Sequence, residues 1–155
     1  MKSIVLLVLI LASNWSYSQN NSTMTTEYLT IKDALVTGKQ SEAGFAAEKL
    51  LSTLNRESTN FNLATKKVWD EKKKMLAKEI EIISKSNDIE KQRAAFANLS
   101  PTYWEILKAS GSPEKLFYNY CPMKKGYWIS AEEKISNPFY GSQMLTCGKV
   151  VEKIN

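Results

Sequence analysis

Histidine is absent from this chain of 155 residues, and cysteine occurs only twice. The first absence removes the commonest general base at neutral pH, so acid-base chemistry would fall to carboxylates, tyrosines or lysines. It also disfavours zinc, which wants imidazoles or four thiolates. No Cys-x-x-Cys pair occurs, which excludes a thioredoxin-like redox motif. A Gly-rich phosphate loop and an activated-nucleophile arrangement are missing as well. Glu132-Glu133 is the one carboxylate pair that catches the eye, but adjacent residues do not converge on one substrate atom. These absences together predict a protein that is not an enzyme.

Long apolar runs are equally scarce. One stands at the start, Ile4 to Ala12, nine residues behind Lys2 and ahead of Ser16-Tyr17-Ser18. It is too short for a permanent membrane span and has the layout of a secretory signal, which predicts cleavage after Ser18. No cysteine follows to accept a lipid, so the expected product is soluble, unanchored and exported, with the periplasm as its compartment. Removing residues 1–18 leaves a chain of one-domain size with room for a hydrophobic core. Residues 19–26 read as a loose polar tail and 27–154 as the domain.

The charge is +5, with lysines and acids interleaved. The densest basic group is Lys66, Lys67, Lys72, Lys73, Lys74 and Lys78, yet Asp70, Glu71, Glu79 and Glu81 lie among them. That mixture is a solvated helix face rather than a nucleic-acid or anionic-lipid patch.

From Glu27 the pattern is helical. Tyr28, Ile31 and Leu35 recur at spacings of three and four until Gly38, where a left-handed cap is wanted. Ser41 is the expected cap of a second helix with an apolar stripe of Ala43, Ala46, Ala47, Leu50, Leu51 and Leu54, ending in the turn-forming residues 55–60. A third helix is expected from Asn62 to about Ser84, with Val68, Trp69, Met75, Leu76, Ile80 and Ile83 on its apolar side. Asn87 and Glu90 resemble a capping box for a fourth, whose face carries Ile89, Arg93, Phe96, Leu99, Tyr103 and Leu107. Pro101 either kinks that helix or restarts it behind Ser100, and Ser110 to Pro113 ends it. Short turns between four amphipathic helices predict a mainly α fold, an antiparallel four-helix bundle.

Residues 114–154 form a different kind of segment, an aromatic tail that contains both cysteines. Leu116 to Tyr120 and Gly126 to Ile129 are β-prone, with Pro122 to Gly126 as a hairpin loop and Val150-Val151 as a last short strand. The aromatics are expected to seal one side of the bundle.

Within this tail the thiols of Cys121 and Cys147 each stand within three residues of a thioether, Met123 and Met144. Thiolate and thioether are soft donors and select Cu(I) or Ag(I) over hard cations. In an oxidising compartment the same two cysteines can instead form a disulfide closing a loop of about 26 residues, worth about 3 kcal/mol by chain entropy. The two readings compete for the same sulfurs.

The segments IEKQRAAFANLSPTYWEILK, YCPM, GYWIS, ISNPFYG and MLTCGKVVEKI, in that order, resemble an exported bacterial family common in Bacteroidota, the domain-of-unknown-function 3347 family. The opening YLTIKDALVTGKQSEAGFAAEKLLSTL is similar to the start of the same family. Members occur free or attached to adaptor subunits of copper/silver efflux systems, or beside other copper-handling modules. The resemblance therefore implies a copper-related role, with an efflux adaptor or another periplasmic copper protein as partner. By this resemblance Cys121, Met123, Met144 and Cys147 are the sulfur set, and Trp128, Asn137, Pro138, Tyr140 and Gly141 are framework. The family's loop before the tryptophan is often longer than the Lys124 to Tyr127 stretch here, which implies a shorter outer wall.

Overall fold

The structure is a computed structural model, and it describes residues 23–56 and 61–155. Residues 1–18, expected to be a cleaved signal, and most of the polar turn after the second helix lie outside the described residues. Four helices come first: α1 (residues 23–36), α2 (Gln40–Arg56), α3 (Leu63–Lys85) and α4 (Ile89–Ser110). Three strands follow, β1 (Leu116–Cys121), β2 (Gly126–Ser130) and β3 (Lys149–Ile154), with a 3-10 turn at Gly141–Gln143 between the last two.

Long-range contacts fix the helix directions. Thr25 bonds Tyr103 and Leu35 bonds Arg93, so α1 runs against α4. Gln92 reaches the carbonyls of Gln40 and Ile83, which brings the start of α2 to the end of α3. Lys72 pairs with Glu105 at 2.9 Å, while Thr65 donates to the Ala109 carbonyl, so α3 and α4 are antiparallel too. Glu27 accepts from Thr53 and closes the ring between α1 and α2. The antiparallel four-helix bundle expected from periodicity is therefore the fold, with Leu50, Leu54, Leu76, Ile80, Phe96 and Leu107 in its core.

The local differences from expectation have local causes. Residues 23–26, expected to be loose, are already helical, and Met24 and Thr25 are buried against the bundle. A polar string hides one apolar residue that the bundle has a place for. α2 begins at Gln40, so Ser41 is inside the helix rather than its cap. Asn62 does cap α3, its side chain accepting from the Thr65 N–H at 2.9 Å. Asp88, not Asn87, caps α4, accepting from the N–H groups of Glu90 and Lys91. Met75, expected on the apolar side of α3, is mostly exposed.

Pro101 lies inside one continuous α4 rather than at a restart. Ser100 bonds back to the Phe96 carbonyl at 2.8 Å instead of capping a new helix. Its only proton is thereby used, so the Tyr28 hydroxyl must donate to Ser100, at 2.6 Å, and accept from the Ile129 N–H, at 3.1 Å.

The sheet has the order β2-β1-β3 and is antiparallel throughout. It lies against α4, where Trp104 stacks on Tyr118 at 4.8 Å and Tyr118 on Tyr127 at 5.0 Å. Trp104 Nε1 donates to the Glu152 carboxylate at 2.8 Å, tying β3 to the same helix. The aromatic tail thus seals one side of the bundle, as its composition predicts.

Candidate dithiol and soft-metal site

Cys121 is the last residue of β1 and Cys147 stands two residues before β3. Because β1 pairs with β3, sheet formation itself carries the two cysteines to the same end of the sheet. Their Sγ atoms are 3.7 Å apart, and both are free thiols. The disulfide alternative is not formed in this structure. Cys121 is wholly buried, whereas Cys147 is half-buried.

Burial opposes ionisation of the Cys121 thiol. Against it act the Lys124 N–H, the Asn137 side chain, Cys147 and the Met123 N–H, and together they hold Cys121 below the ordinary thiol value. Cys147 is shifted the other way, by its hydrogen bond to Cys121, by burial and by the charge beside it. Of the two thiols, Cys121 is therefore the readier to ionise and Cys147 the more reluctant.

The arm that carries Cys147 is fixed by Asn137, a fully buried residue. Asn137 donates from Nδ2 to the Cys147 carbonyl at 2.7 Å, accepts at Oδ1 from the Phe139 N–H at 2.8 Å, and donates its own N–H to Leu145. Arg93 fastens the next stretch to the bundle. Its Nε donates to the Pro138 carbonyl, its Nη2 to the Leu35 carbonyl, and its Nη1 pairs with Glu90. Gly141 has a φ of 53°, and a Cβ there would lie 2.9 Å from Arg93. Tyr140, half-buried, precedes it and accepts at its carbonyl from the Gln143 N–H. Trp128, fully buried on β2, meets Phe139 edge-on at 5.8 Å. Gly148 lies against this indole so closely that a Cβ would stand 2.5 Å from the ring. Of the five framework residues, Asn137 bonds the Cys147 arm directly, Trp128 packs on Gly148 beside it, and Pro138 and Gly141 meet Arg93.

The methionines contribute backbone groups beside the thiols. Met123 supplies a backbone N–H that faces both thiols, and the Met144 carbonyl accepts from the Cys147 N–H at 3.0 Å. Their side chains stand 61 % and 38 % exposed at the rim. Among the described residues no group of three or more His, Cys, Asp or Glu side chains could hold a metal ion. What the site offers is two soft sulfurs at close range, with backbone N–H groups directed at one of them. Arg93 and Gly148 were not foreseen as parts of it. A charge on the apolar face of α4 was the available signal for Arg93; nothing local marks Gly148.

Residues 24–115 match the sequence pattern of a family described as proteins of unknown function, DUF3347. The chain belongs to the DUF3347 family. That match spans α1 to α4 and stops one residue before β1, so the family signature is the helical bundle. The CPM, NPFYG and MLTCG phrases lie beyond the matched residues. No curated protein and no solved structure matches the chain. No helix among the described residues is long and apolar enough to cross a membrane.

Proposed function

We propose that this DUF3347 protein is an exported, non-enzymatic binder of a soft monovalent cation, Cu(I) or Ag(I). It would serve as a periplasmic buffer or as an accessory to a heavy-metal efflux adaptor or another copper protein. The supporting observation is the 3.7 Å approach of the only two thiols in the chain. Monovalent copper and silver accept as few as two soft ligands, and N–H groups around Cys121 favour the thiolate that a metal needs. Cys121 and Cys147 are then the primary ligands, with Met123 and Met144 as thioether donors at the rim.

The test is a Cu(I) competition titration of the reduced protein against a chromophoric chelator. Cys121→Ser and Cys147→Ser should each abolish competition. A Met123→Leu/Met144→Leu double variant keeps side-chain volume, so any fall in affinity measures thioether ligation alone. Reduced wild-type protein that fails to compete ends the metal reading.

The same approach of the sulfurs supports a second reading, a helical interaction module stapled by a Cys121–Cys147 disulfide and carrying no ligand. The staple forms if the sulfurs close from 3.7 Å to the bonded distance of about 2.05 Å. Intact mass and free-thiol count of protein purified from a periplasm without reductant separate the two states.

A further inference from the structure

The two sulfurs are not equivalent. Cys121 closes a strand, is wholly buried, and is faced by the backbone N–H groups of Lys124 and Met123 in the turn that follows, whereas Cys147 is half-buried in a loop. Beside Cys147 the rim residues Met123, Met144 and Leu145 are exposed. A reagent arriving from solvent therefore meets Cys147 first and finds Cys121 behind it at 3.7 Å.

We infer that Cys121 and Cys147 form a reversible thiol-disulfide exchange pair, in which Cys147 reacts with an external disulfide and Cys121 resolves the mixed disulfide. In the first step the Cys147 sulfur attacks one sulfur of the external disulfide. A Cys147–S–S–R bond forms, the external S–S bond breaks, and one RSH leaves with the Cys147 proton. In the second step Cys121 attacks the Cys147 sulfur, forming Cys121–S–S–Cys147 and expelling the second R group as a thiol with the Cys121 proton. Two thiols lose two protons and two electrons, and one external disulfide gains them. The oxidant is a low-molecular-weight or protein disulfide of the kind an oxidising compartment supplies.

The framework suits this work. Asn137 and Arg93 hold the Cys147 arm at its two ends without touching the Sγ of Cys147, so that sulfur can turn outward while the backbone stays in place. The consequence for the metal rests on the proposed soft-metal reading: oxidation removes both thiolates together, so a bound ion is released when the pair closes.

The experiment uses the reduced full chain mixed with oxidised glutathione, acid-quenched at intervals and mapped by peptide mass. Wild-type protein should show glutathione transiently on Cys147 and then the intramolecular disulfide without adduct. Cys121→Ser should keep the Cys147 adduct, and Cys147→Ser should react at least about tenfold more slowly than Cys121→Ser. Wild-type mapping needs no substituted core, so it decides the matter even if a variant fails to fold. Glutathione appearing first on Cys121, or an adduct on wild-type protein that never resolves, overturns the assignment. Cu(I) competition is then run on reduced and oxidised wild-type protein. If the reduced form does not compete, the metal reading falls and the exchange pair stands on its own. If both forms compete equally, release by oxidation is overturned.

Discussion

The hydroxyl of Tyr28, in the first helix, accepts a hydrogen bond from the backbone N–H of Ile129, in the second strand and 101 residues further along. The same hydroxyl donates to Ser100 in α4. One fully buried phenol thus joins the first helix, the last helix and the sheet that presents the sulfurs. Burial, more than anything else around it, drives its ionisation far above the ordinary phenol range, so it stays protonated and able to fill both roles.

Tyr28→Phe removes that oxygen without changing the ring. It leaves the Ile129 N–H without its acceptor and Ser100 without its donor, at a cost of about 1–3 kcal/mol. Urea unfolding measures the loss, and amide exchange at Ile129 should accelerate more than exchange in α3. A variant as stable as the wild type would show that the sheet is held by its aromatic stacking alone.

Asn137→Ala strips the Cys147 arm of its fixings. The Phe139 N–H and the Cys147 carbonyl lose their partners, which predicts about 1–3 kcal/mol of destabilisation. The more specific outcome concerns Cys121, whose buried thiol should become reactive toward a chromogenic disulfide reagent under native conditions. Unchanged thiol reactivity would mean that the arm is held elsewhere.

Gly148→Ala places a methyl group against the Trp128 indole. Overpacking of this kind costs about 1–3 kcal/mol, and here the cheapest relief is movement of the Cys147 arm away from β1. Intramolecular disulfide formation under glutathione should slow, with mixed disulfide accumulating. Closure at the wild-type rate would show that the strain is absorbed by the indole.

Glu27 predicts a pH dependence unrelated to the sulfurs. Burial raises its carboxyl, outweighing the Thr53 hydrogen bond and the charges of Arg56 and Lys49. The folded chain therefore binds this proton more tightly than the unfolded chain, so its contribution to stability falls as pH rises above the ordinary value of 4.5. Glu27→Gln removes that decline. Thermal midpoints of wild type and variant, compared from pH 4.5 to 7, should diverge as pH rises, the wild type losing ground. Parallel curves would rule it out.

The bundle was legible because its information is periodic and local. Apolar residues three and four apart give Tyr28, Ile31 and Leu35 one face, and Asn62 announces a helix start within a single turn. Errors of one residue, such as Asn87 for Asp88, arise where two capping side chains stand side by side and only the backbone path chooses between them. The hairpin could also be read, since β-prone runs flank a Pro-Met-Lys-Lys-Gly loop. Arg93 could not be assigned from its neighbours: the two carbonyls it holds, those of Leu35 and Pro138, are 58 and 45 residues away. The sulfurs were noticed through their rarity. That Met123 and Met144 would also place backbone groups beside the thiols depends on turn geometry that residue type does not encode.

β3 has consequences for how anything can attach to this molecule. It is the outer strand beside β1, and the register slips between Tyr118 and Asn119, leaving Val151 as the extra residue. Lys149, Glu152 and Lys153 are exposed along it; Lys153 is paired with Glu133, and Glu152 with Trp104 and Lys108. A bulged border studded with engaged charges is a poor template for an added strand. This border of the sheet is thus fenced against fibre growth and against partners that would bind by lengthening it.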